Sequence, residues 1–111
     1  MIIAIGDIYV QVARRGEVRE LMLSTQERVR EEPGCLSYRF AETLEEPAHF
    51  LVVQQWRDQE ALDEHYRSRA FADYQAGIAT ALARNSELRL HVVHESFLAV
   101  DSSVLDISQD D

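Results

Sequence analysis

From Ile2 to Val12 the chain alternates. Ile2, Ala4, Gly6, Ile8, Val10 and Val12 fall on one side, and Ile3, Ile5, Asp7, Tyr9 and Gln11 on the other. A period of two is that of a β-strand, and both sides of this one are partly apolar. From Gly16 the period lengthens: Val18, Leu21, Met22, Thr25 and Val29 stand at helical spacing opposite Arg19, Glu20, Glu27 and Arg30, which predicts an amphipathic helix ending near Glu32. Pro33-Gly34 stops it, since proline lacks the amide and glycine accepts a left-handed exit. Alternation resumes in a second strand from Cys35 to Thr43. Residues 44–48, with Pro47, turn the chain into a third strand from His49 to Arg57, giving a hairpin. Asp58 is a natural N-cap for a short helix carrying Ala61, Leu62, His65 and Tyr66. Ser68 can cap another, carrying Phe71, Tyr74, Ile78 and Leu82. A fourth strand is expected from Leu88 to Val100. The order βαββαβ is that of an α+β, ferredoxin-like fold, with an antiparallel sheet and the helical segments on one face.

That arrangement leaves one sheet face without helices. The third strand offers Phe50, Val52 and Trp56 to one side and Leu51 and Val53 to the other, so both faces look built for burial. A second copy of the chain, packed sheet to sheet, is the expected cover, and further assembly beyond a dimer stays open.

Composition narrows the classes. A chain of 111 residues with 46% hydrophobic and 28% charged residues reads as one globular domain. Its span is expected to be 1–100, followed by an acidic tail or arm at 101–111 that could lie on a neighbouring subunit. The net charge of −9 repels phosphate backbones and anionic lipid, so neither nucleic acid nor a membrane is an expected partner. The apolar start has no basic leader and is interrupted by Asp7, so a cytoplasmic protein is expected. Cys35, the single cysteine, cannot form an internal disulfide and reads as a small buried residue rather than a nucleophile.

The run Glu32-Pro33-Gly34-Cys35-Leu36-Ser37-Tyr38, the strand ending in Trp56, Ala61-Leu62-Asp63-Glu64-His65 and Ser68-Arg69-Ala70-Phe71 together resemble the antibiotic biosynthesis monooxygenase family of dimeric α/β barrels. The likeness covers roughly residues 1–100. It implies a cofactor-independent monooxygenase that oxidises a small quinol, phenol or aromatic polyketide with dioxygen, although the family also holds haem degraders and an isomerase. Haem-degrading members use an Asn, Trp and His set. Here His65 takes the place of the Trp, and Gln75 stands where the haem-ligand histidine would come, so haem degradation is not expected.

No G-x-G-x-x-G, P-loop or H-E-x-x-H occurs, so nucleotide cofactors and zinc hydrolysis have no motif. No metal, flavin or other cofactor is expected. His91 and His94 would lie on opposite faces of a strand, and His49, beside a loop, is expected to be exposed. His65 should look into the space between helices and sheet. There it is either a general base that takes a phenolic proton and later returns it, or a packed histidine bonded to a backbone carbonyl. In the catalytic reading His65 removes the proton, and Tyr66 or Tyr74 donates a hydrogen bond to the developing oxyanion or peroxide. Trp56, Phe71 and Leu62 would wall the substrate, although aromatic residues at helical spacing are also ordinary core. Gln54 and Asp7, polar residues in apolar strands, could line the pocket or pair across the dimer. Arg39 should sit on the opposite face from Tyr38 and Phe40. The same chain also fits a dimeric ligand-binding domain without catalysis, or an isomerase acting on a small carbonyl compound.

Overall fold

The computed structural model describes residues 1–99; the expected tail at 101–111 lies outside them. Strands β1 (Ile2–Tyr9), β2 (Cys35–Glu42), β3 (His49–Trp56) and β4 (Glu87–Val92) form one antiparallel sheet in the order β2-β3-β1-β4. Helix α1 (Arg15–Val29) follows β1, and α2 (Gln59–Tyr66) and α3 (Arg69–Ile78) follow β3. This is the ferredoxin-like order with its second helical segment bent in two. β1 and β3 take the centre, and their register Ile2↔Trp56, Ala4↔Gln54 and Ile8↔Phe50 lines up their buried residues on one face. Against that face α1 presents Val18, Met22, Thr25 and Val29, the stripe its spacing predicts. Trp56, Phe50 and Leu62 are the largest apolar side chains fully buried there, each removing roughly 1.5–3 kcal/mol worth of apolar surface from water. Both expected caps form: Ala61 N–H donates to Asp58 Oδ1 at 2.9 Å, and Phe71 N–H to Ser68 Oγ at 3.1 Å.

Element ends differ where tertiary partners decide them. β1 stops at Tyr9 rather than Val12. Beyond it Val10 N–H bonds Ala48 O, Gln11 N–H bonds Ala81 O, and residues 12–14 make a short 3-10 turn. The first helix ends at Val29 rather than Glu32, the chain closing through the tighter bonds Glu31 N–H to Arg28 O and Glu32 N–H to Val29 O. The fourth strand runs from Glu87 to Val92 instead of Leu88 to Val100. Its partner β1 is used up at Ile2↔Val92, one further bond joins Val93 N–H to Met1 O, and Phe97 and Leu98 stand exposed outside any strand.

Gly34 sets the turn into β2. Its φ is +80°, and a Cβ there would lie 2.5 Å from Ala61 Cβ, so glycine is required both by backbone conformation and by the close approach of α2. Gly34→Ala is expected to cost more than about 2 kcal/mol, from left-handed strain plus overpacking. Urea unfolding measures this, and an unshifted midpoint would refute it.

The helices leave the other face of the sheet bare. Ile3, Ile5, Asp7 and Tyr9 of β1 share it with His49, Leu51, Val53 and Gln55 of β3, and Arg39 lies there on β2, as its alternation predicts. His49 is a correction: it was expected in solvent and is 9% exposed. Its Nε2 donates to Asp7 Oδ1 at 2.7 Å and its ring stacks on Tyr9 at 4.3 Å. The cross-strand register, invisible to a single-strand reading, brings the three together.

Candidate functional site

The site grows from two short segments that are distant in sequence. On α2, Ala61, Leu62 and His65 share the buried face, as i, i+1 and i+4 positions do. The turn at Gly34 packs on Ala61, one helical turn before His65, and this brings Glu32 up to the imidazole. His65 Nδ1 donates to Glu32 Oε1 at 2.9 Å. The imidazole side chain is 1% exposed and that of Glu32 16%. Trp56 stacks on the ring at 4.8 Å, and Phe71, Tyr38 and Tyr66 fence it at 5.1, 5.5 and 5.7 Å. Two buried atoms of this pair, His65 Nε2 and Glu32 Oε2, have no hydrogen-bond partner.

Burial pushes the His65 pKa below the ordinary 6.5, against the opposing pull of the Glu32 carboxylate, so the ring is neutral at pH 7. An ionised carboxylate only accepts, which puts the proton on Nδ1 and leaves the lone pair on Nε2. The sequence offered a backbone carbonyl as the alternative partner of His65; the partner is instead a side-chain carboxylate. Glu32 carried one signal of its own: an acid just past a helix C-terminus sits against the dipole, and something else must hold it there.

Beside this pair, a cavity of about 280 Å³ opens between the sheet and the last two helices, walled by Tyr38, Gln54, Tyr66, Phe71, Tyr74 and Gln75. Four of the expected pocket residues are therefore together: Gln54, Tyr66, Phe71 and Tyr74. Gly6 forms part of the floor, where a Cβ would come within 3.0 Å of Val52 and Leu88 side chains. Trp56 and Leu62 are elsewhere, fully enclosed in the core, with Trp56 Nε1 donating to Gln54 Oε1 at 2.9 Å. Asp7 is on the opposite face with His49. His65 does not line the cavity; it meets the wall from behind, through Tyr38, Tyr66 and Phe71. With Glu32 it lines an outer groove of about 420 Å³ beside Arg57, Glu64 and Ser68.

Tyr38 was overlooked as a site residue although its strand alternation turns it inward. Burial raises the Tyr38 and Tyr74 hydroxyls well above the ordinary 10, and burial and then Asp63 raise Tyr66. All three are therefore neutral, hydrogen-bonding phenols. No lysine, arginine or histidine lines the cavity and Glu87 does, so it disfavours an anionic ligand and offers no imidazole to a haem iron. Burial, and next the Glu32 charge, also push the Cys35 thiol up, which disfavours its thiolate. His91 and His94 stand exposed, His91 on β4 and His94 beyond its end. Among the described residues no three His, Cys, Asp or Glu side chains are grouped to hold a metal, and no helix is long and apolar enough to cross a membrane.

Known proteins share this framework. An uncharacterised protein of Synechocystis sp. is 32% identical over 95 residues, 86% of this chain, and the chain spans 65% of that protein's length. A candidate antibiotic biosynthesis monooxygenase from Deinococcus radiodurans superposes with a TM-score of 0.84 over 91% of this chain and 100% of its own, at 21% identity, which bears on the fold alone. A conserved protein from Methanosarcina mazei does so at 0.77 over 81% of this chain and 89% of its own, with 26% identity. Residues 1–77, which hold β1 to β3, the Glu32–His65 pair and most of the cavity wall, match the sequence model of the family described as antibiotic biosynthesis monooxygenase, and the chain belongs to that family.

Proposed function

We propose that this protein oxidises a small, uncharged, electron-rich aromatic, a quinol, phenol or polyketide, with dioxygen and without metal or flavin. The observation that carries this reading is the unpartnered, buried Nε2 of a neutral His65 beside a cavity walled by three neutral tyrosines. A buried acceptor left unpaired costs about 1–3 kcal/mol, and a substrate hydroxyl relieves that cost once a side chain of the wall between cavity and imidazole, Tyr38, Tyr66 or Phe71, turns aside. Proton transfer to Nε2 turns the substrate into an aryloxide or enolate, which gives up an electron to dioxygen far more readily than its acid does. The radical pair recombines to a peroxide. The O–O bond then breaks as the carbon bearing the peroxide loses its C–H proton: one oxygen stays in the product as a carbonyl, and the other leaves as water, taking that proton and the one His65 returns. The substrate supplies all four electrons that dioxygen takes up. Tyr74, Tyr66 and Tyr38 donate to the developing oxyanion or peroxide, and the ring lies against Phe71.

Oxygen uptake against quinols and anthrones, with and without a chelator, tests this. About one dioxygen per substrate is expected, unchanged by the chelator, and a rate no higher than that of free substrate would overturn it. A second reading, a ligand-binding domain without turnover, draws on the placement of His65 behind the wall. It predicts saturable binding of the same compounds with no oxygen consumed. We propose, further, that the bare sheet face is covered by a second copy of the chain.

A further inference from the structure

We propose that Glu32 is the positioning residue that makes His65 a base, fixing its tautomer and balancing its charge once protonated. The proposal deepens the reading of His65 given above and rests on it for its catalytic consequence. Three features support it. The Nδ1 to Oε1 bond of 2.9 Å orients a ring that is 1% exposed. The pair has its two unbonded atoms, Nε2 and Oε2, both buried, so nothing else in the described structure fixes the tautomer. Finally, a protonated imidazole enclosed by Trp56, Tyr38, Tyr66 and Phe71 would be an uncompensated buried cation without an adjacent carboxylate. During the reaction the substrate O–H breaks and the Nε2–H forms. The pair then holds imidazolium against carboxylate, neutral overall, until the proton returns to the departing oxygen. Glu32 touches no substrate atom and acts through His65.

The groups facing His65 are Glu32 from the α1–β2 turn, Tyr38 from β2 and Tyr66 from α2, with Arg57, Glu60, Glu64 and Arg67 around the outer groove. Glu32 is the charge in hydrogen-bond contact, so its replacement should dominate the titration. Nitrogen NMR of the imidazole in the intact protein is the direct test. The wild type should show the proton on Nδ1 at neutral pH. Glu32→Gln, whose amide can donate to Nδ1, should shift the ring toward the Nε2–H form and move its protonation midpoint lower, because a carboxylate that favours the charged ring is gone. Turnover should fall at least ~10-fold, toward the losses known for removing the orienting acid of a catalytic triad, with KM little changed, and Glu32→Asp should recover part of it. A wild-type ring carrying its proton on Nε2 would overturn the assignment. So would a Glu32→Gln protein with unchanged tautomer, midpoint and turnover per folded molecule. Should Glu32→Gln fail to fold, the wild-type tautomer and the Glu32→Asp midpoint decide. If no substrate is ever oxidised the oxygenase reading fails by itself, and the NMR still judges the role of Glu32.

Discussion

His65→Ala is expected to lower oxygen uptake by roughly 10²- to 10⁴-fold, the usual contribution of a positioned general base. It should also cost about 1–3 kcal/mol of stability, because it leaves a void against Trp56 and the partly buried Glu32 carboxylate without its donor. The two effects separate by pH. The folded pKa of His65 lies below its ordinary 6.5 because burial disfavours the cation, so the unfolded chain binds more protons than the native protein in that range, and stability rises with pH. The contribution of the neutral ring is thus fully present above about 6.5 and is lost as pH falls from there toward the lower folded value. The melting temperature of the wild type should drop more steeply over that interval than that of His65→Ala, which has no imidazole to charge. Differential scanning at several pH values reads this, and oxygen uptake on the same samples reads the activity. Undiminished turnover per folded molecule would remove His65 from the reaction, and parallel melting curves would remove the buried neutral imidazole.

The two residues of the proposed acid–base pair were unequally legible. His65 could be found because a single short helix carries it, and its neighbours Ala61 and Leu62 mark the buried face by spacing alone. Glu32 could not, because its contact spans 33 residues and depends on how closely Gly34 approaches Ala61, which no local period encodes. The cavity was half legible for a related reason. Alternation assigns Gln54 and Trp56 to the same face of β3, but whether a side chain on that face meets a cavity or solid core depends on what lies above it. Trp56 is sealed under His65, while Gln54 reaches open space under Tyr74. Asp7 and His49 show the complementary limit: Asp7 is readable as a polar residue in an apolar strand and His49 as an exposed residue beside a loop, yet only the register between β1 and β3 makes them a pair. The overlong fourth strand has the same cause, for alternation from Val93 to Val100 signals a capacity to pair and says nothing about a partner.

Leu51→Asp is expected to split the proposed dimer. Leu51 lies on the bare face of the central strand β3, opposite Asp7 on β1 and Ala41 on β2, so a new carboxylate there meets apolar neighbours and a like charge. Burying it against a second sheet costs several kcal/mol, and with every ~1.4 kcal/mol a factor of ten in affinity, the dissociation constant should rise at least ~100-fold. In a free monomer Leu51 is only partly buried, so the new side chain can turn to water and the variant should remain folded at low concentration. Leu44→Asp is the matched control, since Leu44 is fully exposed in the β2–β3 loop and its charge should leave assembly alone. Sedimentation of wild type, Leu51→Asp and Leu44→Asp at micromolar concentration makes the comparison. A monodisperse wild-type monomer would refute the sheet-to-sheet pairing, and so would a Leu51→Asp protein that still dimerises with unchanged affinity, because no partner sheet could then lie over that side chain. The Glu32–His65 pair and the six named cavity walls all come from one copy. Turnover per folded chain should therefore fall much less in Leu51→Asp than in His65→Ala. A loss as large would mean that the second subunit is needed to hold the cavity in shape.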